Sequence, residues 1–126
     1  MNALIDTHLL LWWFLDAREL SAAARAVIEE PSNRIVVSVA SLWELAIKVS
    51  RRNIDMKLER LQVAVERDGF DLLPVFAAHV LAVAQLPWHH ADPFDRMLIA
   101  QAQSEKLKLL TSDRALSCYG EPVNVV

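Results

Sequence analysis

Ile35-Val36-Val37-Ser38-Val39, running into Ala40-Ser41-Leu42-Trp43-Glu44-Leu45-Ala46-Ile47-Lys48-Val49, is the stretch that decides the fold. Its first half is apolar and β-branched almost without a break. That is the pattern of a strand covered on both faces, as in a parallel sheet. In its second half the period changes, and Leu42, Leu45, Ala46 and Val49 fall at helical spacing. The same alternation extends in both directions. Ala3-Leu4-Ile5 reads as a short buried strand, and the apolar run Leu9 to Leu15 as a helix. Leu20, Ala23, Ala24, Val27 and Ile28 form a second helical stripe with Ser21 as its N-cap, closed by a turn at Pro31-Ser32-Asn33. Further on come a helix over Leu58 to Arg67, a strand at Phe70-Asp71-Leu72-Leu73, a helix over 76–85 ended by Pro87, and a helix from Asp92-Pro93 to about Lys106. Leu107-Lys108-Leu109-Leu110 is a strand, and Val123-Asn124-Val125-Val126 a last edge strand. Strands alternating with helices throughout define an α/β domain with a mostly parallel sheet.

Composition narrows the function. A chain of 126 residues is expected to make one domain, and 54% apolar against 23% charged residues excludes intrinsic disorder. Two glycines, Gly69 and Gly120, exclude a glycine-rich phosphate loop. One cysteine, Cys118, excludes a disulfide framework and a cysteine-rich metal site, and is expected to be a packed small residue. Met1 to Asp6 carries no targeting signal and no run spans a bilayer, so a soluble cytoplasmic protein with no membrane partner is expected. The net charge of −3 argues mildly against a partner bound by basic charge alone.

In an open parallel sheet, ligands gather at the carboxyl ends of the strands. The residues there are acids. Asp6 follows the first strand, and Glu44 is placed in the first turn of the helix after the second. Asp95 opens the helix leading into the fourth strand, and Asp113 follows that strand after Thr111 and Ser112. Each acid also has an ordinary structural role. Ser41-Leu42-Trp43-Glu44 has the form of a capping box, Asp92 and Asp95 suit an N-cap and a first helical turn, and Asp6 and Asp113 stand before helices. Capping gives no reason to gather four carboxylates at one edge, where they repel one another; a divalent cation does. All-oxygen donors suit Mg²⁺ or Mn²⁺. Thr7, Ser38, Thr111 and Ser112 are small hydroxyls able to orient the carboxylates or hold metal-bound water.

These motifs resemble those of the PIN-domain ribonucleases, and among them the VapC-type toxins of type II toxin–antitoxin pairs. The resemblance is carried in order by Leu4-Ile5-Asp6-Thr7-His8-Leu9-Leu10-Leu11-Trp12, by Ser38 to Lys48, by His90-Ala91-Asp92-Pro93-Phe94-Asp95-Arg96-Met97-Leu98-Ile99-Ala100-Gln101-Ala102 and by Leu110-Thr111-Ser112-Asp113. It spans essentially the whole chain. It implies a three-layer α/β/α PIN-like domain over residues 1–126 with about five strands. It also implies an Mg²⁺- or Mn²⁺-dependent endoribonuclease in which Asp6, Glu44, Asp95 and Asp113 are the catalytic, metal-holding quartet. Asp92 is an additional acid, preferred as N-cap. One or two metal ions would bridge carboxylates and phosphate and activate the attacking water, leaving a 5′-phosphate and a 3′-hydroxyl. The implied partners are an RNA substrate, a cognate antitoxin whose peptide lies in the active-site groove, and a second copy in a homodimer. A catalytically silent domain that binds protein or RNA is the alternative.

For holding RNA, Lys48, Arg51, Arg52 and Arg96 are the candidate basic residues, although Lys48 can equally pair with Glu44 one turn away. His8, His79, His89 and His90 lack a ligand spacing, and His89-His90 is expected to be turn structure. Trp12, Trp13 and Trp43 are expected in core or interface packing. The run Trp12-Trp13-Phe14-Leu15 cannot all face one core, so part of it is expected to form a partner patch. A receiver domain is excluded because Leu72-Leu73-Pro74 supplies no phosphoacceptor and no lysine follows Lys108, and a DxD phosphatase because Thr7-His8 follows Asp6. Without the quartet, thirteen basic residues face twelve acids, a balance of +1, so the acidity is concentrated where a metal would sit.

Overall fold

The computed structural model describes all 126 residues. Five strands form one sheet in the order β3-β2-β1-β4-β5: β1 Asn2–Ile5, β2 Arg34–Ser38, β3 Asp71–Leu73, β4 Lys108–Thr111 and β5 Val123–Val125. Every neighbouring pair is parallel, so the sheet is wholly rather than mostly parallel. The helices are α1 Thr7–Leu15, α2 Ala22–Glu29, α3 Val39–Ser50, α4 Leu58–Arg67, α5 Ala77–Val83 and α6 Pro93–Glu105, with a 3₁₀ turn over Arg114–Tyr119. No helix is long and apolar enough to cross a membrane.

The strands are apolar on both faces because both are covered. Ala3, Ile5, Ile35, Val37 and Leu110 point into a core with Leu9 and Leu10 of α1, Ala24 and Ile28 of α2, Leu45 of α3, and Leu61 and Val65 of α4. The alternate residues Leu4, Val36 and Leu109 point to the other side, against Leu98, Ile99 and Ala102 of α6 and Leu86. Side chains alternate across a strand, so one run of residues feeds two cores. The result is the expected α/β/α layering.

The register positions the site. Ile5 of β1 lies between Val37 of β2 and Leu110 of β4. The residues that follow, Asp6, Ser38 and Thr111, therefore stand side by side at the carboxyl edge.

The β2–α3 boundary differs from the sequence reading. Val39 is the first residue of the helix, not the last of the strand. The cap is Ser38, whose Oγ accepts the Ala40 N–H at 3.0 Å. Ser41 is inside the first turn, buried, and accepts the Thr7 hydroxyl at 3.0 Å. The Ser41-to-Glu44 motif is not a capping box, and Glu44 lies in the second turn. The run Trp12 to Leu15 divides as expected, with Trp12, Trp13 and Phe14 partly buried against the first core and Leu15 exposed, while Trp43 is 63% and Trp88 80% exposed. The large apolar groove lies elsewhere, about 770 Å³ in volume between α3, α5 and α6, with Trp43, Val80, Trp88 and Phe94 among its walls. Cys118 is exposed rather than packed.

Candidate metal centre

Asp6 is 2% exposed and caps α1. Its Oδ1 accepts the Leu9 N–H at 2.8 Å and its Oδ2 the Thr111 hydroxyl at 2.5 Å. Thr111 Oγ1 in turn accepts the N–H of Asp113 at 3.0 Å. Asp113 Oδ1 accepts the Ala115 N–H at 2.9 Å and so caps the 3₁₀ turn. Asp92 caps α6, accepting from Phe94 and Asp95 N–H groups at 2.8 and 3.2 Å. Pro93 follows it as the first helical residue, where no N–H is missed. Asp95 then projects from the first turn. The capping roles of Asp6, Asp92 and Asp113 are therefore real, and they leave lone pairs on each carboxylate for a cation.

The electrostatics record the crowding. Burial pushes the Asp6 carboxyl up, opposed by the Thr111 and Leu9 hydrogen bonds and raised again by Glu44. Asp95 is pushed up to about 6, first by burial, then by Asp92 and Asp6, with His90 working against them. Asp6 is the acid that feels Glu44, and Asp95 feels Asp6. Buried carboxylates with like charges beside them form a site that a cation relieves. Oxygen-rich donors of this kind fit Mg²⁺ or Mn²⁺.

The hydroxyls divide. Only Thr111 touches an acid. Thr7 binds Ser41 and ties the start of α1 to α3. Ser38 donates to Gln101 Oε1 of α6 at 2.5 Å. Gln101 Nε2 reaches the Pro74 carbonyl at 3.2 Å and lies 3.3 Å from His79 Nδ1; His79 Nε2 in turn meets Glu105 at 3.0 Å. This buried chain, missed in the sequence, had a signal: Gln101 interrupts the apolar run Leu98-Ile99-Ala100 and Ala102.

Among the basic residues, Lys48 Nζ lies 3.6 Å from Glu44 Oε2, and Arg51 and Arg52 are exposed at the end of α3. A small groove runs from Glu44 and Asp92 past Lys48, Arg51 and Asn53; Arg52 lies outside it. Arg96 does not reach it. It is 4% exposed and donates to the carbonyls of Val83, Leu86 and Pro87 and to the Tyr119 hydroxyl, with Trp88 4.1 Å over its guanidinium. Its charge is spent inside the fold, so the expected RNA contact gives way to an internal clamp.

His90 lies in the turn before α6, as expected of His89-His90, and there it meets the acids. Its Nε2 lies 2.9 Å from Asp95 Oδ2, and one ligand atom each from His90, Asp95 and Asp113 falls within 4.8 Å of the others. The dipeptide His89-His90 has no ligand spacing of its own; only the fold brings His90 to the acids.

The sheet is wholly parallel with carboxylates at its carboxyl edge, and the PIN domain family matches residues 3–121. The chain belongs to the PIN-domain family. Within it the chain sides with the VapC-type members, being 30% identical over 126 residues to Ribonuclease VapC22 of Mycobacterium tuberculosis (strain ATCC 25618 / H37Rv), across 96% of this chain and 94% of that protein. The fold is shared with VapBC2 from Rickettsia felis bound to a DNA fragment from their promoter, at a TM-score of 0.72 and 15% identity over 100% of this chain and 98% of that one. It is shared also with a toxin–antitoxin complex from Klebsiella pneumoniae, at 0.70 and 22% over 98% and 96%.

Proposed function

We propose that this chain is a Mg²⁺- or Mn²⁺-dependent endoribonuclease, acting in the cytoplasm as the toxin of a toxin–antitoxin pair. The observation that carries the reading is the meeting of acids at one sheet edge: Thr111 joins Asp6 to Asp113, and donor atoms of Asp113 and Asp95 lie within 4.8 Å of each other. The likeness to a ribonuclease over nearly its full length supports the substrate class.

Asp6, Asp95, Glu44 and Asp113 are the residues that would hold the metal. When bound, it would supply the positive charge a phosphodiester needs beside carboxylates and lower the pKa of a water. The chain's own groups do the rest. Thr111 holds Asp6 and the Asp113 backbone in fixed relation. Lys48 and Arg51 offer cations along the groove leading from Glu44 for the flanking phosphates, and Arg52 is exposed beside Arg51 at the end of α3. Exposed Trp43, Val80 and Trp88 offer apolar surface for the protein partners, a second copy and an antitoxin.

Purified protein with Mg²⁺ or Mn²⁺ is expected to cut structured RNA, and Asp6→Asn to stop cutting while the fold persists. Expression of the wild type is expected to arrest growth, and Asp95→Asn to relieve the arrest. RNA binding without cleavage under any divalent ion would replace this reading with that of a silent binding domain.

A further inference from the structure

The geometry points to His90 as a nitrogen ligand in the same metal centre, making it a mixed nitrogen–oxygen site that favours Mn²⁺ over Mg²⁺. This inference rests on the metal-dependent reading above and specifies the donor set of that site.

His90 Nε2 and Asp95 Oδ2 are 2.9 Å apart. Two donors on adjacent positions of an octahedral ion with bonds of about 2.1 Å are separated by about 3.0 Å. In the metal-free protein this contact is the His90 Nε2–H donated to the carboxylate; the same spacing suits adjacent ligands on an ion once the imidazole proton sits on Nδ1. The third donor, from Asp113, lies within 4.8 Å of both. A donor opposite one of the pair on such an ion stands beside the other, at about 4.2 and 3.0 Å, and both separations fall inside that limit. An imidazole that carries its proton on Nδ1 presents the Nε2 lone pair on that side.

The position of His90 is built rather than incidental. It stands at the end of the connection between α5 and α6, and Arg96 fastens that connection through the carbonyls of Leu86 and Pro87 at 3.4 and 2.8 Å. The same guanidinium donates to Tyr119 at 3.1 Å, in the turn capped by Asp113. One buried cation thus anchors the segments on both sides of the His90–Asp95–Asp113 triangle. Trp88, two residues before His90, packs over that guanidinium.

Donor chemistry gives the selectivity. Carboxylate and water oxygens serve Mg²⁺ and Mn²⁺ alike, whereas imidazole nitrogen is a poor ligand for the harder Mg²⁺ and a good one for first-row transition ions. His90 therefore adds affinity for Mn²⁺ and little for Mg²⁺.

The test uses the full chain without RNA, titrated with MnCl₂ and separately with MgCl₂, for wild type, His90→Gln and Asp95→Asn. Bound Mn²⁺ is also read by pulsed electron paramagnetic resonance for nitrogen coupling. The wild type is expected to bind Mn²⁺ more tightly and to show one coupled imidazole nitrogen. His90→Gln is expected to lose the nitrogen signal and on the order of tenfold in Mn²⁺ affinity, with Mg²⁺ affinity within about twofold of wild type. Equal losses for both ions, with no nitrogen coupling in the wild type, would reduce His90 to a hydrogen-bond partner of Asp95 and overturn the inference. Unchanged Mn²⁺ binding in His90→Gln, with Asp95→Asn impaired, overturns it while leaving the metal-dependent reading intact. A wild type that binds neither ion better than Asp95→Asn overturns both.

Discussion

The Thr111 hydroxyl donates to Oδ2 of Asp6 across 105 positions of sequence, and Thr111 Oγ1 itself accepts the backbone N–H of Asp113. A single side chain at the end of β4 thus couples two of the four acids. The hydrogen bond favours the charged form of Asp6 against the burial that disfavours it. Thr111→Val keeps the shape and removes the donor. It is expected to cost about 1–3 kcal/mol, lowering the melting temperature by several degrees. It is also expected to push Asp6 further up, so that divalent ions bind more weakly near neutral pH. Thr111→Ser should restore both. A Thr111→Val protein with wild-type melting temperature and Mn²⁺ affinity would show that this bond does not organise the site.

Asp95 makes the metal-free protein pH-sensitive in the direction opposite to most carboxylates. Its folded pKa is about 6, above the ordinary 3.8. Between those values the folded state holds more protons than the unfolded one, so stability falls as pH rises through that window. The contribution is fully present below the lower value and is lost once pH passes about 6. Asp95→Asn removes the charge that burial and Asp92 oppose. It is expected to melt higher than wild type at pH 7.5 in chelator, to differ less at pH 4.5, and to be inactive. Mn²⁺ is expected to raise the wild-type melting temperature more at pH 7.5 than at pH 5, because below about 6 it competes with a proton. Melting curves in chelator whose wild-type and Asp95→Asn difference did not vary with pH would refute this account.

The layers and the acidic edge were legible because periodicity reports which face of an element is apolar, and strand–helix alternation reports parallel topology. Periodicity does not report partners. Ser41-Leu42-Trp43-Glu44 looks like a cap, yet the helix begins three residues earlier, since Ser38 stands where β2 runs out of sheet neighbours. Arg96 looks like a surface cation beside Asp95, but residues adjacent on a helix diverge by about 100°, and its side faces the α5–α6 connection. Gln101 acquires meaning only from residues brought to it by the sheet, which no local spacing encodes, and His90 meets Asp95 only through the turn that precedes α6. The apolar groove at Trp43 and Trp88 belongs to three separate helical segments and has no counterpart in a single run such as Trp12 to Leu15.

The arginines separate into two kinds by experiment. Arg96→Leu strips donors from three backbone carbonyls and Tyr119, and is expected to cost about 3 kcal/mol or more, in line with breaking a buried network. Tyr119→Phe removes one of those bonds and should cost about 1 kcal/mol. Arg51→Ala and Arg52→Ala touch nothing buried and should leave melting unchanged. On the proposed RNA-binding role, each should weaken RNA binding and reduce the slope of log affinity against log salt by about one. Salt slopes equal to wild type in both variants would remove these residues from the RNA path, and a fully stable Arg96→Leu would contradict the clamp.

Gln101 offers a sharper probe of how α3 is held against α6. Its Oε1 accepts from Ser38, the cap of the helix that carries Glu44, while its Nε2 donates to Pro74 and lies near His79 Nδ1. His79 Nδ1 already accepts the Phe76 N–H, so the Gln101 amide is the only donor to the Pro74 carbonyl in this chain of bonds. Gln101→Glu preserves size and the acceptor for Ser38 but sets an acceptor against the Pro74 carbonyl and the ring nitrogen. Burial and the missing donor both disfavour the charged form of the new carboxyl, so its pKa rises. The substitution is therefore expected to destabilise strongly at pH 8 and progressively less as pH falls, because protonation returns one donor. Gln101→Leu removes donor and acceptor together and should destabilise by about 2–4 kcal/mol at every pH. If the two variants melted alike across pH 5 to 8, the orientation assigned to the Gln101 amide, and with it the bridge from α3 to α6, would be wrong.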